Sequence, residues 1–324
     1  MDSCESSSEA EKRPIAFIED SAVWLGRVDG GKAGRVTRSA YATESPAVQP
    51  GGDRIIFALT RGPEADVNVL SIRRDGRDES MVARDVGQSV SDPSWSPSGD
   101  RIAYIKDVWL TVSDADGGNA RRLAPDIYAN SPTWSPDGQW IAFGGAREDS
   151  FQFSSDIWVV RPDGSELRRV TDTPAESEAN PTWSPDGRLI AYNHDQLTPG
   201  IWLIRSDGHG RRQLTDGQDS EPTWASDCRT IAFARARQHY SLRTVSLRGH
   251  GQIVRAGLRN HPMPEWSQPA EVERGDPPQR GRPTPPCARL VRAPTLCSKT
   301  AAAPTFRRSR PWLATFRVES GNRR

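Results

Sequence analysis

The sequence predicts an all-β fold, a six-bladed β-propeller over residues 13–267, closed by pairing between its N- and C-terminal strands. Three observations carry this prediction. A tryptophan-centred motif recurs with the period of a four-stranded blade. Asp-Gly pairs stand between short apolar runs, where a tight hairpin needs positive φ. No long segment of helical period interrupts them.

The motif reads Pro-Ser-Trp-Ser-Pro-Ser-Gly-Asp-Arg-Ile-Ala-Tyr over 93–104 and Pro-Thr-Trp-Ser-Pro-Asp-Gly-Gln-Trp-Ile-Ala-Phe over 132–143. It returns over 181–192 and, weakened, over 222–233. A degenerate copy over 46–57 has Val48 where the others have tryptophan, and a stub over 264–267 begins the motif and stops. The anchors Val48, Trp95, Trp134, Trp183, Trp224 and Trp266 are spaced 47, 39, 49, 41 and 42 residues apart. Each copy predicts a first strand, a Pro-Asp-Gly-type turn and a second strand.

The second half of each unit begins with a strand such as 107–112, 156–160 or 200–204, carrying Trp109, Trp158 or Trp202, with Trp24 in the same slot of 22–28. An Asp-Gly turn follows at Asp29-Gly30, Asp75-Gly76, Asp116-Gly117, Asp163-Gly164 and Asp207-Gly208, and then a short basic strand such as Arg121-Arg122-Leu123. Ile157-Trp158-Val159-Val160 is apolar on both faces, as expected of a sheet covered by neighbours on both sides. Nine of the 11 tryptophans fall in the two repeat slots, which assigns them to the core rather than to a ligand cage. The chain opens in mid-blade, since Ile15-Ala16-Phe17 is a second strand without a first. Pairing 264–267 with Ile15–Ile18 would complete six blades and remove the free sheet edges.

Trp-Ser-Pro-Asp-Gly-Arg with Ile-Ala-Tyr, Asp-Ile-Trp-Val-Val, Asp-Gly-Ser and Arg-Arg-Val-Thr resembles the WD40-like repeats of TolB-type propellers. Similar repeats occur in the propeller halves of prolyl-oligopeptidase and dipeptidyl-peptidase enzymes. The resemblance covers about four-fifths of the chain. It implies a periplasmic scaffold that docks a protein or peptide. Unlike TolB proteins, the sequence shows no α/β domain ahead of the propeller and no signal peptide.

Composition bounds the rest. Apolar residues at 35% and charged residues at 26% fit a folded globular chain. No run of 18 apolar residues exists, and four cysteines do not make a disulfide scaffold. The net charge of +1 hides a basic tail, because 268–324 holds 12 basic and 4 acidic residues with nine prolines. Disorder is the default reading of that tail; binding to nucleic acid or an anionic surface and a shifted reading frame near codon 268 are the alternatives. Residues 1–12 read as a flexible segment. Cys4 before Glu-Ser-Ser-Ser has the look of a lipoprotein tether. The compartment is the cell envelope by resemblance, or the cytoplasm if translation starts at Met1.

No catalytic constellation emerges. Gly87-Gln88-Ser89-Val90-Ser91 lacks the last glycine of a nucleophile elbow. No Cys-x-x-Cys or His-Glu-x-x-His exists, and Asp114-Ala115-Asp116-Gly117 reads as a hairpin rather than a calcium loop. Cys228, in a turn-glycine slot, reads as drift. The expectation is therefore no enzyme, no cofactor, no metal and no nucleic acid, in a monomer with a protein or peptide partner. Two candidate surfaces follow. The variable loops that join second to third strands carry Arg147, Glu148, Phe151 and Phe153, and Arg235, Arg237, His239 and Tyr240. Aromatic and arginine residues together suit a protein hot spot, although loop side chains also fold onto their own blade. The residues placed just before each first strand, Glu44, Asp92, Asn130, Asn180 and Glu221, would form a ring at the channel mouth. Such a ring attracts a cation or a basic peptide end, or is simply hydrated. The enzyme-class alternative is a propeller gating a prolyl-oligopeptidase-type hydrolase domain absent from this sequence.

Overall fold

The computed structural model describes residues 14–19, 22–27, 34–37, 43–51, 53–61, 66–83, 89–147, 154–173, 176–195, 198–236 and 240–258. Among them every regular element longer than a turn is a strand. The first sheet has three strands, β1 (Pro14–Glu19), β2 (Ala22–Arg27) and β3 (Gly34–Arg35). Five four-stranded sheets follow. The second contains β4 (Thr43–Val48), β5 (Arg54–Arg61), β6 (Asp66–Arg73) and β7 (Ser80–Ala83). The third contains β8 (Val90–Trp95), β9 (Arg101–Lys106), β10 (Trp109–Asp114) and β11 (Arg121–Arg122). The fourth contains β12 (Ile127–Trp134), β13 (Ile141–Arg147), β14 (Asp156–Val160) and β15 (Arg168–Arg169). The fifth contains β16 (Ser177–Trp183), β17 (Leu189–Asp195), β18 (Gly200–Arg205) and β19 (Arg212–Gln213). The sixth contains β20 (Asp219–Trp224), β21 (Thr230–Arg235), β22 (Tyr240–Ser246) and β23 (Gly251–Leu258).

Each sheet is an antiparallel meander, and the innermost strands β4, β8, β12, β16 and β20 lie side by side in chain order, with β1 beside β4. The residues expected to close the ring, 264–267, lie outside the described residues, as do the tail and the N-terminal segment with Cys4.

The turn between first and second strands shows why its motif starts with serine. The Ser135 hydroxyl donates to Asp137 Oδ1 at 2.5 Å and accepts from the Trp140 N–H at 2.9 Å, while Gly138 N–H donates to the Ser135 carbonyl. Ser184 does the same with Asp186 and Leu189. In the last sheet Ala225 replaces the serine, and Asp227 takes the N–H groups of Arg229 and Thr230 directly. Cys228 fills the glycine slot there at φ 55° and is held in a disulfide.

The sheets pack through apolar side chains and through backbone. Trp95, Trp134, Trp183 and Trp224 are all buried between sheets. Trp95 donates its indole N–H to the Ala47 carbonyl of the preceding sheet, and Trp224 to the Thr182 carbonyl. The third-strand tryptophans differ from expectation. Trp158 is buried, but Trp109 and Trp202 are half-buried, with an arginine over each ring; Trp202 pairs with Tyr192 as Trp158 does with Phe143, whereas Thr111 takes that place opposite Tyr104 and Trp109 stands two residues earlier. Arg122 lies 3.3 Å over Trp109 and Arg211 lies 4.1 Å over Trp202, a cation–π arrangement. Arginines of the outermost strands also reach forward. Arg121 donates to the Pro162 carbonyl, Arg168 to Ser206 and Arg212 to Leu247, each in the next sheet's third-to-fourth-strand hairpin.

The Asp-Gly turn of that hairpin rests on the fourth-strand region of the preceding sheet. A Cβ on Gly117 would stand 2.0 Å from the Val82 carbonyl oxygen, and one on Gly76 would stand 2.8 Å from that of Val36. Glycine is thus required here for close approach as well as for positive φ. Gly249 holds the same turn position in the last sheet with nothing within 4 Å. Both have φ near 90° (89° and 86°), so the pair isolates the contact from the backbone strain. Gly249→Ala should cost about 1 kcal/mol through φ alone. Gly117→Ala should cost a further ~1–3 kcal/mol by forcing the two sheets apart. Urea midpoints of the two variants check this; equal losses would refute the contact.

Candidate functional site: the central cavity

The inner strands share one irregularity. Each ladder shifts register across two residues, between Glu44 and Ala47, Ser91 and Ser94, Asn130 and Thr133, Ala179 and Thr182, and Ser220 and Thr223. The second residue of each bulge is a proline, which has no N–H to give to a ladder. The first is Ser45, Asp92, Ser131, Asn180 or Glu221, with φ of 48°, 50°, 47°, 52° and 53°. Five non-glycine residues in this region, each before proline, form one repeated strained conformation.

These five residues and their prolines, Pro46, Pro93, Pro132, Pro181 and Pro222, line a single cavity of about 210 Å³, with Ala16 of β1 on the remaining side. The site is therefore axial, where the sheets converge. It corrects the expected ring in two places. Glu44 and Asn130 pair within their ladders, opposite Ala58 and Gly144, one residue before the bulge. The residues equivalent to Asp92, Asn180 and Glu221 are Ser45 and Ser131. All five lie inside the inner strands rather than ahead of them. The bulge sets this phase, and the proline that marks it was the available signal.

The ring is linked from sheet to sheet. Ser45 Oγ donates to Asp92 Oδ1 at 3.4 Å, and Ser131 N–H donates to Asp92 Oδ2 at 3.4 Å. Ser131 Oγ donates to Asn180 Oδ1 at 2.8 Å, and Asn180 Nδ2 donates to Asn193 Oδ1 at 2.8 Å. Burial pushes the Asp92 carboxyl above its ordinary value, and the negative charge of Glu221 adds to this. The hydrogen bonds from Ser131, Ser45 and Ser91 oppose the shift without cancelling it. The five bulges thus bring to the cavity two carboxyl groups, an amide, two hydroxyls and five apolar pyrrolidine rings. That surface can accept hydrogen bonds and hold positive charge.

The loop candidates separate. Arg147 ends β13 and is exposed. Arg235 is not a loop residue; it ends β21, and its Nε and Nη2 lie 2.5 and 2.6 Å from the two oxygens of buried Asp219. That ion pair fixes it to its own sheet. Tyr240 begins β22, opposite Leu258. Glu148, Phe151, Phe153, Arg237 and His239 lie outside the described residues. The Asp114–Gly117 segment forms the predicted hairpin, with Asp116 Oδ1 accepting from Gly118 N–H. Among the described residues no group of three or more metal-ligating side chains is clustered for a metal ion, and no helix is long and apolar enough to cross a membrane.

Four-stranded meanders converging on an axial cavity define a β-propeller. Comparison with known proteins places it further. The family model described as the TolB beta propeller domain matches residues 106–269, and the chain belongs to that family. It is similar in structure to TolB from Acinetobacter baumannii, with a TM-score of 0.65 at 17% identity over 78% of this chain and 66% of that one. In sequence it is 28% identical over 123 residues to a TolB homologue of Chlorobium luteolum, covering 37% of this chain and 27% of that protein. It is 32% identical over 98 residues to the uncharacterized peptidase YuxL of Bacillus subtilis, covering 26% of this chain and 14% of that protein. The chain therefore spans less than a third of either relative's length.

The shift at Asp92 has a definite sign. A carboxyl whose pKa is higher folded than unfolded takes up its proton first in the folded state. Its contribution to stability rises as pH falls from neutral through the folded value, and levels off below the unfolded value near 4. Asp92→Asn should remove that rise and leave stability at neutral pH equal or higher. Urea midpoints of wild type and variant between neutrality and about pH 4 measure it; parallel curves would show that Asp92 is not held up by burial.

Proposed function

We propose that this propeller is a non-catalytic scaffold that binds a protein or peptide through its variable-loop face, with the axial cavity taking a basic group of the partner. The observation that carries this reading is the ring at 45, 92, 131, 180 and 221. Its backbone is the same in five repeats, while its side chains are Ser, Asp, Ser, Asn and Glu. A rigid frame presenting unlike side chains into one cavity suits recognition. Membership of the TolB propeller family supports a protein partner and a place in the cell envelope. Phe151 and Phe153, with Arg147 and Glu148, are the proposed loop contacts, and Arg237, His239 and Tyr240 flank them in the last blade. We further propose closure of six blades through residues 264–267, with 268–324 as a separate tail.

A second reading rests on the similarity to the peptidase YuxL, in which this propeller would regulate a hydrolase domain encoded elsewhere. A neighbouring reading frame with a Gly-x-Ser-x-Gly elbow would favour it.

The test uses the full chain. Its partner is identified by cross-linking in cells that express it, then produced and titrated calorimetrically. Phe151→Ala with Phe153→Ala, and separately Asp92→Asn with Glu221→Gln, should each weaken binding about tenfold or more, with no loss of melting temperature. Hydrolysis of peptide substrates by the purified chain would overturn the non-catalytic reading.

A further inference from the structure

The seam between the third and fourth sheets exposes apolar side chains that the repeat does not call for. Among the described residues four large hydrophobic side chains are exposed, and two of them, Val108 at 42% and Tyr128 at 38%, stand together here. Val108 is the second residue of the two-residue turn between β9 and β10, and its carbonyl accepts from Ala129 N–H at 2.7 Å, beside Tyr128. Trp109 follows, and its ring meets that of Tyr128 at 5.1 Å between centroids, tilted by 50°. The connections that carry these residues, β9 to β10 and β11 to β12, emerge on the variable-loop face.

None of the three fills a repeat slot. Trp109 stands two residues ahead of the third-strand slot, which Thr111 occupies opposite Tyr104. Counted back from the proline bulge, the position of Tyr128 holds Ser89, Ser177 and Gln218 in the third, fifth and sixth sheets. Val108 is a β-branched residue at the tip of a tight turn, where glycine, asparagine, aspartate or serine is the usual choice. Core packing therefore gives no account of this apolar group, and contact with water does not favour it.

The charge beside it is also unusual. Arg122 of β11 is exposed, lies 3.3 Å over Trp109 and donates to the Pro125 carbonyl. Arg122 pairs with Thr111 as Arg169 pairs with Trp158 and Gln213 with Trp202. Arg169 is neutralised by Asp156 and Asp172. Among the described residues no carboxylate reaches ion-pair distance of Arg122, the exposed Asp126 of the same connection included. The stack on Trp109 holds the guanidinium plane, so an incoming carboxylate would meet a donor fork already oriented. Arg147, exposed at the end of β13 opposite Ile127, adds positive charge next to Tyr128.

We propose that Val108, Tyr128 and Arg122 form a docking surface for an extended segment of a partner protein in which an apolar side chain stands close to an aspartate or glutamate. The apolar side chain covers Val108 and Tyr128, and the carboxylate takes the Arg122 guanidinium. Aromatic and arginine anchors side by side are the composition of an interface hot spot. The surface belongs to the variable-loop face proposed above to bind a protein, and its assignment rests on that reading.

Short random peptides displayed on phage and selected against the full chain test this, with the enriched sequences synthesised and titrated by fluorescence anisotropy. They should place an apolar residue within about three positions of an aspartate or glutamate, since only the Trp109 ring separates Tyr128 from Arg122 and an extended chain advances ~3.3 Å per residue. Tyr128→Ser and Arg122→Gln install residues that other sheets hold at the same positions. Each should weaken binding about tenfold while the chain stays folded. Enrichment of peptides without an acidic residue, equal binding to either variant, or no enrichment at all would overturn the proposal. So would a dimer of the full chain, seen by sedimentation, that Tyr128→Ser dissolves, because a second copy would then be the occupant. Peptides that lose binding in Phe151→Ala with Phe153→Ala but keep it in Tyr128→Ser and Arg122→Gln would leave the loop face as the partner's site and remove this surface from it.

Discussion

The seam between neighbouring sheets is the constraint on which the architecture depends. A four-stranded meander of this size buries little by itself, so each sheet is completed by the next. Apolar burial supplies the attraction, with indoles and Ile-Ala-Phe or Ile-Ala-Tyr strands packed between sheets. Distance is set by backbone. At Gly117 and Gly76 a turn is pressed onto a carbonyl of the preceding sheet, and at the following seams Arg121, Arg168 and Arg212 hydrogen-bond carbonyls of the next sheet. The apolar and polar parts fix one spacing, and that spacing places the inner strands around a cavity instead of leaving a stack of independent hairpins.

The same seam explains what was legible in the sequence. Tryptophan spacing and Asp-Gly turns report strand order and blade period directly, because each is dictated by a local need: filling the inter-sheet space, or positive φ. Among the described residues the first-strand indoles Trp95, Trp134, Trp183 and Trp224 are buried as expected. The third-strand indoles Trp109 and Trp202 are only half-buried, since their cover is an arginine supplied from the edge strand or just ahead of it, a partner that apolar patterning does not reveal. The cavity was legible as a place but not in its phase. Counting back from the motif put Glu44 and Asn130 in the ring, whereas the bulge at each X-Pro step turns the residue immediately before proline inward. Arg235 was misplaced for a related reason: β21 extends through it, and its tie to Asp219 is a cross-strand pairing invisible in linear sequence.

Asp92 and Glu178 show how little residue type decides. Both are carboxyl groups removed from water. Asp92 receives hydrogen bonds of 3.4–3.5 Å, faces the charge of Glu221, and is held above its ordinary value. Glu178 has a 2.6 Å hydrogen bond from Thr173 and the Arg211 guanidinium nearby, and is held below. Desolvation favours the neutral acid in both, so the donors decide the sign. Glu178 is accordingly a fixed charge that binds the fifth sheet to its neighbour. Asp92 is a charge held at some cost in an open cavity.

That cost bears on function. A strained pre-proline position is accommodated most easily by glycine or asparagine, and a buried carboxylate is not needed to fill space. Yet the five equivalent positions hold serine twice, aspartate, asparagine and glutamate, at φ values within a few degrees of one another. Packing alone gives no reason for such variety at a geometrically constant point. An asymmetric set of acceptors on a near-symmetric frame gives the cavity a preferred orientation for whatever enters it, and a partner presenting one positive group among apolar neighbours would meet carboxylates on one part of the wall and proline rings around it. The proposed recognition role would account for both the strain and the variety, with the backbone that the seam already imposes.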